Sequence, residues 1–204
     1  MQATITKLER SQVNQAIKVL GHAFRQDPIF NYLLPDNSTN ALLWLLRVGL
    51  RYSHSYNHTY TSTTNTGELQ GVASWIPPEG SGGSVTRILQ AGALILPFKL
   101  GISRFSRALS WSWAMEELHK RNMSSKPHWY LSLLGVSPSC QGCGIGSLLI
   151  EPILKQAYSD GLPIYLETST ELAVRFYQKH GFKVVWGGEL LKGSPYLWAM
   201  ERVA

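Results

Sequence analysis

Charge is scarce in this chain of 204 residues: Asp, Glu, Lys and Arg make up 16%, against the roughly 25% usual in soluble domains. Cysteine is scarcer still, with two residues, which excludes a disulfide framework. No apolar run approaches the roughly 18 residues of a membrane span; the longest, 93–100, is interrupted by Pro97 and Lys99. The opening MQATITKLER has no apolar h-region and so does not read as a secretory signal. These absences point to a soluble protein of a reducing compartment, with the cytoplasm as the expected location and no membrane span. No internal repeat is visible.

What is abundant is core material. Hydrophobic residues reach 44%, with seven Trp and nine Tyr, so the composition is not that of a disordered chain. The length suits one domain. The net charge of +6 permits an anionic partner. The cations are scattered, with no run of five, and nucleic acid is not an expected partner.

Periodicity gives the elements. Residues 3–8 alternate and read as a strand. Ser11 is placed to cap a helix whose apolar face is Val13, Ile17, Leu20 and Phe24, ending at Asp27-Pro28. Residues 40–52 read as a second helix, 59–64 as an edge strand, and 69–76 as a buried strand closed by Pro77-Pro78. A flexible loop, 79–84, precedes a mostly helical stretch, 85–121, broken near Pro97 and Gly101. Strand 128–136, helix 144–159 and strand 163–168 form a βαβ unit with parallel strands. A helix over 171–180 ends at Gly181, and 182–186 and 196–201 read as closing strands.

The chemically informative segment is VSPSCQGCGIGS, residues 136–147. It leaves a strand and opens a helix, with glycines at 142, 144 and 146. Glycine lets a ligand approach the backbone, and a helix N-terminus offers unpaired N–H groups at the positive end of its dipole. That combination suits a diphosphate. The Gly-Lys-Ser/Thr of a P-loop is missing, and Ser147 stands where the dinucleotide pattern needs glycine. Cys140 and Cys143 lie within this loop and read as incidental thiols. His54 and His58 are four apart, as metal ligands can be, but no third ligand is near; no metal is expected.

The pattern Gln141-x-x-Gly144-x-Gly146, preceded by Val136-x-Pro138, resembles the acetyl-coenzyme A loop of the GNAT acetyltransferase superfamily. A second segment, TELAVRFYQKHGF (170–182), is similar to that superfamily's N-x-x-A-x-x-F-Y-x-x-x-G-F helix, matching at Ala173, Phe176, Tyr177, Gly181 and Phe182. Within it, Pro127-x-Trp129-x-Leu131, Gly135 to Pro138 and Leu166 to Ser169 resemble puromycin N-acetyltransferase and its relatives. The resemblance implies an α/β fold: a central mixed sheet, splayed between its fourth and fifth strands, flanked by helices, with a helical insertion before the fourth strand. The whole chain, 1–204, is then one N-acetyltransferase domain, with an acceptor side at 9–56 and 83–122 and an acetyl-CoA core at 128–186.

The same resemblance implies the chemistry. Acetyl-CoA is the co-substrate, and a primary amine of a small molecule attacks it directly in a ternary complex. Backbone groups of Leu134 and Val136 would bond the pantetheine and acetyl carbonyl, freed from the ladder by a bulge at Gly135. The N–H groups around Gln141, Gly142, Cys143, Gly144, Ile145, Gly146 and Ser147 would take the diphosphate. Tyr177 would protonate the leaving thiolate and touch the cofactor. Glu167, at the end of the fifth strand, is the candidate base, with Glu116 as the alternative. Phe24, Asp27, Tyr32, Trp75, Trp111 and Trp113 are expected acceptor walls. The apolar 88–102 segment is read as a pocket wall or a homodimer contact. Two other readings stay open: transfer to a protein N-terminus or lysine, and an acyl-CoA sensor without turnover.

Overall fold

Seven strands with period-two patterning assemble into one sheet in the computed structural model, which describes residues 3–80, 84–123 and 126–203. The strands are β1 (Thr4–Lys7), β2 (Thr59–Thr63), β3 (Leu69–Ile76), β4 (Trp129–Val136), β5 (Ile164–Thr168), β6 (Lys183–Glu189) and β7 (Tyr196–Arg202). Their spatial order is β1-β2-β3-β4-β5-β7-β6. Every neighbouring pair is antiparallel except β4 and β5, the product of the βαβ crossover. Strand β2 is interior, because β1 covers its outer edge; its threonines and serine had suggested an edge. The flexible loop expected over 79–84 falls partly on 81–83, outside the described residues.

Alternation along the strands builds a core on each face. One face packs Val72, Tyr165, Leu197 and Ala199 against α1 (Val13–Ala23), α3 (Thr39–His54) and α6 (Ile102–Met123). The other packs Ala73, Trp75, Leu131, Leu166 and Met200 against α7 (Ile145–Asp160) and α8 (Glu171–Lys179). Trp75 is fully buried in this second core, so it is no acceptor wall.

Caps and glycines set the joints. A 3-10 turn over Arg10–Gln12 precedes α1, with Glu9 and Gln12 forming the reciprocal box; Ser11 lies inside that turn and bonds Glu9 instead of capping α1. Asp27-Pro28 does not close a helix but opens one, α2 (Pro28–Leu33): Asp27 accepts the N–H groups of Ile29 (2.9 Å) and Phe30 (3.2 Å), and proline sits in the first turn, where its missing N–H costs nothing. The insertion runs through α4 (Val85–Gln90), α5 (Leu96–Leu100) and α6. It breaks at Gly92 (φ 99°) and Gly101 (φ 78°), left-handed positions that favour glycine, while Pro97 is accommodated in the first turn of α5. Its outward side chains Phe98 and Ile102 are 86% and 85% exposed.

Candidate active site

Pairing between β4 and β5 stops after two rungs, Trp129 with Ile164 and Tyr130 with Tyr165. Beyond Tyr130 the strands part, and a cleft of about 520 Å³ opens between them. Its walls come from the start of α2, the middle of α6, the open stretches of β4 and β5, and α8.

The open edge of β4 follows from backbone alternation. Ser137 N–H donates to the Gln70 carbonyl on the β3 side (2.7 Å). Main-chain groups switch sides at each residue of an antiparallel ladder. Those of Gly135 therefore face β3, and those of Leu134 and Val136 face the cleft. The splay frees them, not a bulge at Gly135, which pairs regularly with Val72. Gly135 instead admits α1: a Cβ there would lie 2.8 Å from a Leu20 methyl. The irregularity sits at Ser132, the extra residue between the Trp75–Leu131 and Ser74–Leu133 pairs. It reverses the alternation, so Leu131 joins one core while Leu133 packs on the other.

Past β4, Gly142 (φ 78°) and Gly144 (φ 80°) adopt left-handed backbone, and no side chain caps α7. The Gln141 side-chain amide donates to the Val136 carbonyl (3.1 Å), which leaves the Val136 N–H as that residue's free cleft-side group. Gln141, Gly142, Cys143 and Gly144 are exposed, and Ile145 anchors the loop in the second core. Gly146 lies against Phe176, where a Cβ would sit 3.2 Å from the ring. His180 donates from Nδ1 to the Phe176 carbonyl (2.8 Å), and its Nε2 meets the Ser147 hydroxyl (3.0 Å). These contacts lock α8 to the start of α7. An uncapped helix start behind two left-handed glycines fits an anionic diphosphate.

Tyr177 and Glu167 line the same cleft from opposite faces of the sheet. Tyr177 projects from α8, whose N-cap is Thr170, bonded to Ala173 N–H (3.3 Å). Its ring packs edge-on against Phe176 (5.1 Å) and Phe182 (5.5 Å). Burial raises its pKa above that of a free phenol, so it stays protonated across the neutral range.

Glu167 shares its strand face with Tyr165, two residues earlier, one step beyond the last β4–β5 rung. Burial pushes its pKa up to about 7, opposed by the nearby Tyr130 and Tyr165 hydroxyls and reinforced by the charge of Glu116. Its Oε1 is shielded from solvent and has no hydrogen-bond partner among the described residues. A carboxylate poised near neutrality at a cleft is suited to accept a proton. Glu116 itself lies outside the cleft lining, on α6, paired with Lys120 (3.2 Å).

The acceptor side is largely apolar. Phe24, Ile29, Phe30, Leu33, Leu45, Trp111 and Met115 line it. Tyr32 stands behind Trp111 at 5.8 Å. Trp113 is 67% exposed on the outer side of α6 and forms no part of the wall, because it is two residues, about 200°, around the helix from Trp111. The 88–102 segment does not line the cleft either. Asp27 does, yet its carboxylate is already engaged by the α2 amides and by the Ser169 hydroxyl (3.1 Å).

Sequence reasoning missed the residues behind Glu167. Tyr165 could have been found from its i, i+2 spacing to Glu167; Tyr130, Asn122, His119 and His128 carry no comparable signal, since long-range packing alone brings them in. Among the described residues no cluster of three or more His, Cys, Asp or Glu is placed to hold a metal ion, and no helix is long and apolar enough to cross a membrane.

Residues 108–182 match the model of the Acetyltransferase (GNAT) family. The chain is 30% identical over 183 residues to an uncharacterized N-acetyltransferase of Schizosaccharomyces pombe, covering 86% of this chain and 72% of that protein. Its fold is similar to arylalkylamine N-acetyltransferase 2 of Aedes aegypti (TM-score 0.68, 14% identity, 100% and 99% of the two chains). It is likewise similar to a Drosophila melanogaster polyamine N-acetyltransferase (TM-score 0.68, 13% identity, all of both chains). A splayed β4–β5 pair, a glycine loop opening the next helix and a relative of this identity together make the chain a member of the GNAT family of N-acetyltransferases, and thus an acyltransferase.

Proposed function

We propose that this chain moves an acetyl group from acetyl-CoA to the primary amine of a small molecule with an apolar body, by direct attack while both are bound. The observation that carries the reading is the cleft through the sheet, with a neutral phenol, Tyr177, on one face and a carboxylate near neutrality, Glu167, on the other. The GNAT family generally uses acetyl-CoA, and the residues present fit it. The amides of 142–147 receive the diphosphate. The open edge at Leu134 and Val136 N–H pairs with the pantetheine arm, and Gln141 holds that edge in place through the Val136 carbonyl.

Glu167 takes the proton that the ammonium form must lose, directly or through one water. The free amine attacks the thioester carbonyl, the C–S bond breaks as Tyr177 donates its proton to the departing thiolate, and the proton that the new amide nitrogen sheds passes to solvent, from which the Tyr177 phenolate is reprotonated. Holding the two reactants side by side supplies several kcal/mol of the barrier. The apolar lining from Phe24 to Met115 favours an acceptor with an aromatic or aliphatic body. The resemblance of 127–138 and 166–169 to puromycin N-acetyltransferase is the reason to include aminonucleosides among the acceptors tried. We further read 1–204 as one domain, and the exposed Phe98 and Ile102 as the place for a homodimer contact.

The test is a thiol-release screen with acetyl-CoA over arylalkylamines, polyamines and aminonucleosides, run beside intact-mass analysis of peptide N-termini and lysines. Release of CoA with a small apolar amine is expected. Acetylation confined to peptides, or acetyl-CoA binding without turnover on any amine, would overturn the proposal.

A further inference from the structure

Behind Glu167 lies a partly buried polar cluster that the reaction above does not use. The Tyr165 hydroxyl receives the side-chain N–H of Asn122 at 3.1 Å, and Tyr165 and Glu167, two residues apart on β5, share a strand face, with the hydroxyl near enough to favour the Glu167 carboxylate. The ring of Tyr165 is stacked by His119 (centroids 4.7 Å, planes 28° apart), which also meets Tyr130 at 4.7 Å. His119 is held in turn: His128 donates from Nδ1 to the Lys126 carbonyl (2.6 Å), so its Nε2 must accept from His119 Nε2–H, 2.6 Å away. Burial lowers the pKa of both imidazoles, that of His119 to about 4, and the pair is neutral at working pH.

Asn122 decides which way the Tyr165 proton points. An amide N–H can only donate, so the Tyr165 oxygen is occupied as an acceptor and its own hydrogen is left for Glu167. We infer that Asn122, on the last turn of α6, is a positioning residue for the reaction: by occupying the Tyr165 oxygen as an acceptor it turns that hydroxyl's hydrogen toward the Glu167 carboxylate. The insertion helix that walls the acceptor pocket through Trp111 and Met115 thereby also tunes the base. The inference rests on the assignment of Glu167 as base, but its first readout does not.

The groups acting on this site are few. The hydroxyls of Tyr130 from β4 and Tyr165 from β5 favour the Glu167 carboxylate, and Glu116 from α6 opposes its charge. Arg121 acts on Tyr165 from α6, and His119 is neutral. Removing the Asn122 donor weakens Tyr165 as a donor and disfavours the carboxylate, so the Glu167 midpoint moves to higher pH.

The experiment is a 13C NMR titration of full-length protein labelled at glutamate carboxyls, with the Glu167 signal assigned by its loss in Glu167→Gln. Asn122→Leu is expected to raise the Glu167 midpoint by about 0.5 to 1 pH unit. Asn122→Asp keeps the shape but turns the donor into an acceptor and adds negative charge, so a larger rise is expected. It stands as the deciding variant should the leucine form fold poorly. A midpoint unmoved in the folded variants overturns the inference. The pH dependence of kcat/KM, with phenethylamine as the acceptor probe, separates it from the base assignment. If Glu167→Gln keeps the acidic limb, the base reading falls and Asn122 loses its place in the reaction. If that limb disappears in Glu167→Gln yet stays at its wild-type position in Asn122→Leu, only the inference falls.

Discussion

Replacing Glu167 by glutamine should make the protein more stable while it destroys activity, and the gain should depend on pH. In the folded chain, burial holds the carboxyl protonated up to about 7, against an ordinary value of 4.5. Below pH 4.5 the group is protonated whether the chain is folded or not, and it contributes no pH-dependent term. Between 4.5 and 7 the unfolded chain ionises while the folded chain does not. Native stability therefore falls as pH rises, and above 7 the penalty is constant. The gap between about 4.5 and about 7, at about 1.36 kcal/mol per pH unit, sets a ceiling of about 3 kcal/mol. Glu167 is only half-buried as a residue, and solvent screening trims this to about 2 kcal/mol. Glutamine has the same shape, keeps an acceptor oxygen beside Tyr130 and Tyr165, and carries no charge. Urea unfolding of wild type and Glu167→Gln should thus differ little at pH 4.5 and by about 2 kcal/mol at pH 8, or roughly 4–8 °C in Tm for a chain of this length. A difference that is the same at both pH values would refute the claim that this carboxyl is held protonated by burial.

Three further outcomes follow from particular contacts. Tyr177→Phe should lower kcat by about 100-fold or more with acetyl-CoA affinity nearly unchanged; calorimetry and initial rates decide it, and full turnover in the variant would remove the proposed acid. Gly144→Ala places a side chain at φ 80° and should cost about 1–2 kcal/mol of stability, together with acetyl-CoA affinity, as read by unfolding and by titration. Asp27→Ala removes the α2 cap and the Ser169 contact and should destabilise by about 1–2 kcal/mol; loss of amine affinity with no loss of stability would instead mark Asp27 as an acceptor contact.

Much of the proposed site is local in sequence and legible there. A diphosphate loop needs contiguous amides and glycines, so 136–147 declares itself in one stretch. The helix carrying Tyr177 does the same through 170–182. Where sequence reading went astray, the competing effect was tertiary. Trp75 and Trp113 look alike as residues, but one is fully buried in the second core and the other is 67% exposed. Gly135 reads as a bulge in a strand, yet its role is to let α1 approach, and the bulge falls at Ser132, a residue with no turn signature.

The order of the strands and long helices, and the crossover that makes β4 and β5 parallel, are written in the chain itself, because each depends on periodicity or on neighbours in sequence. Only the tertiary structure decided where the two strands part and what stands behind the carboxylate at that point. Tyr130 and Tyr165 come from β4 and β5, and they act on Glu167 only once packing brings the two strands together and takes the carboxyl out of water. A proton affinity is a property of surroundings, and no linear pattern of residues specifies it.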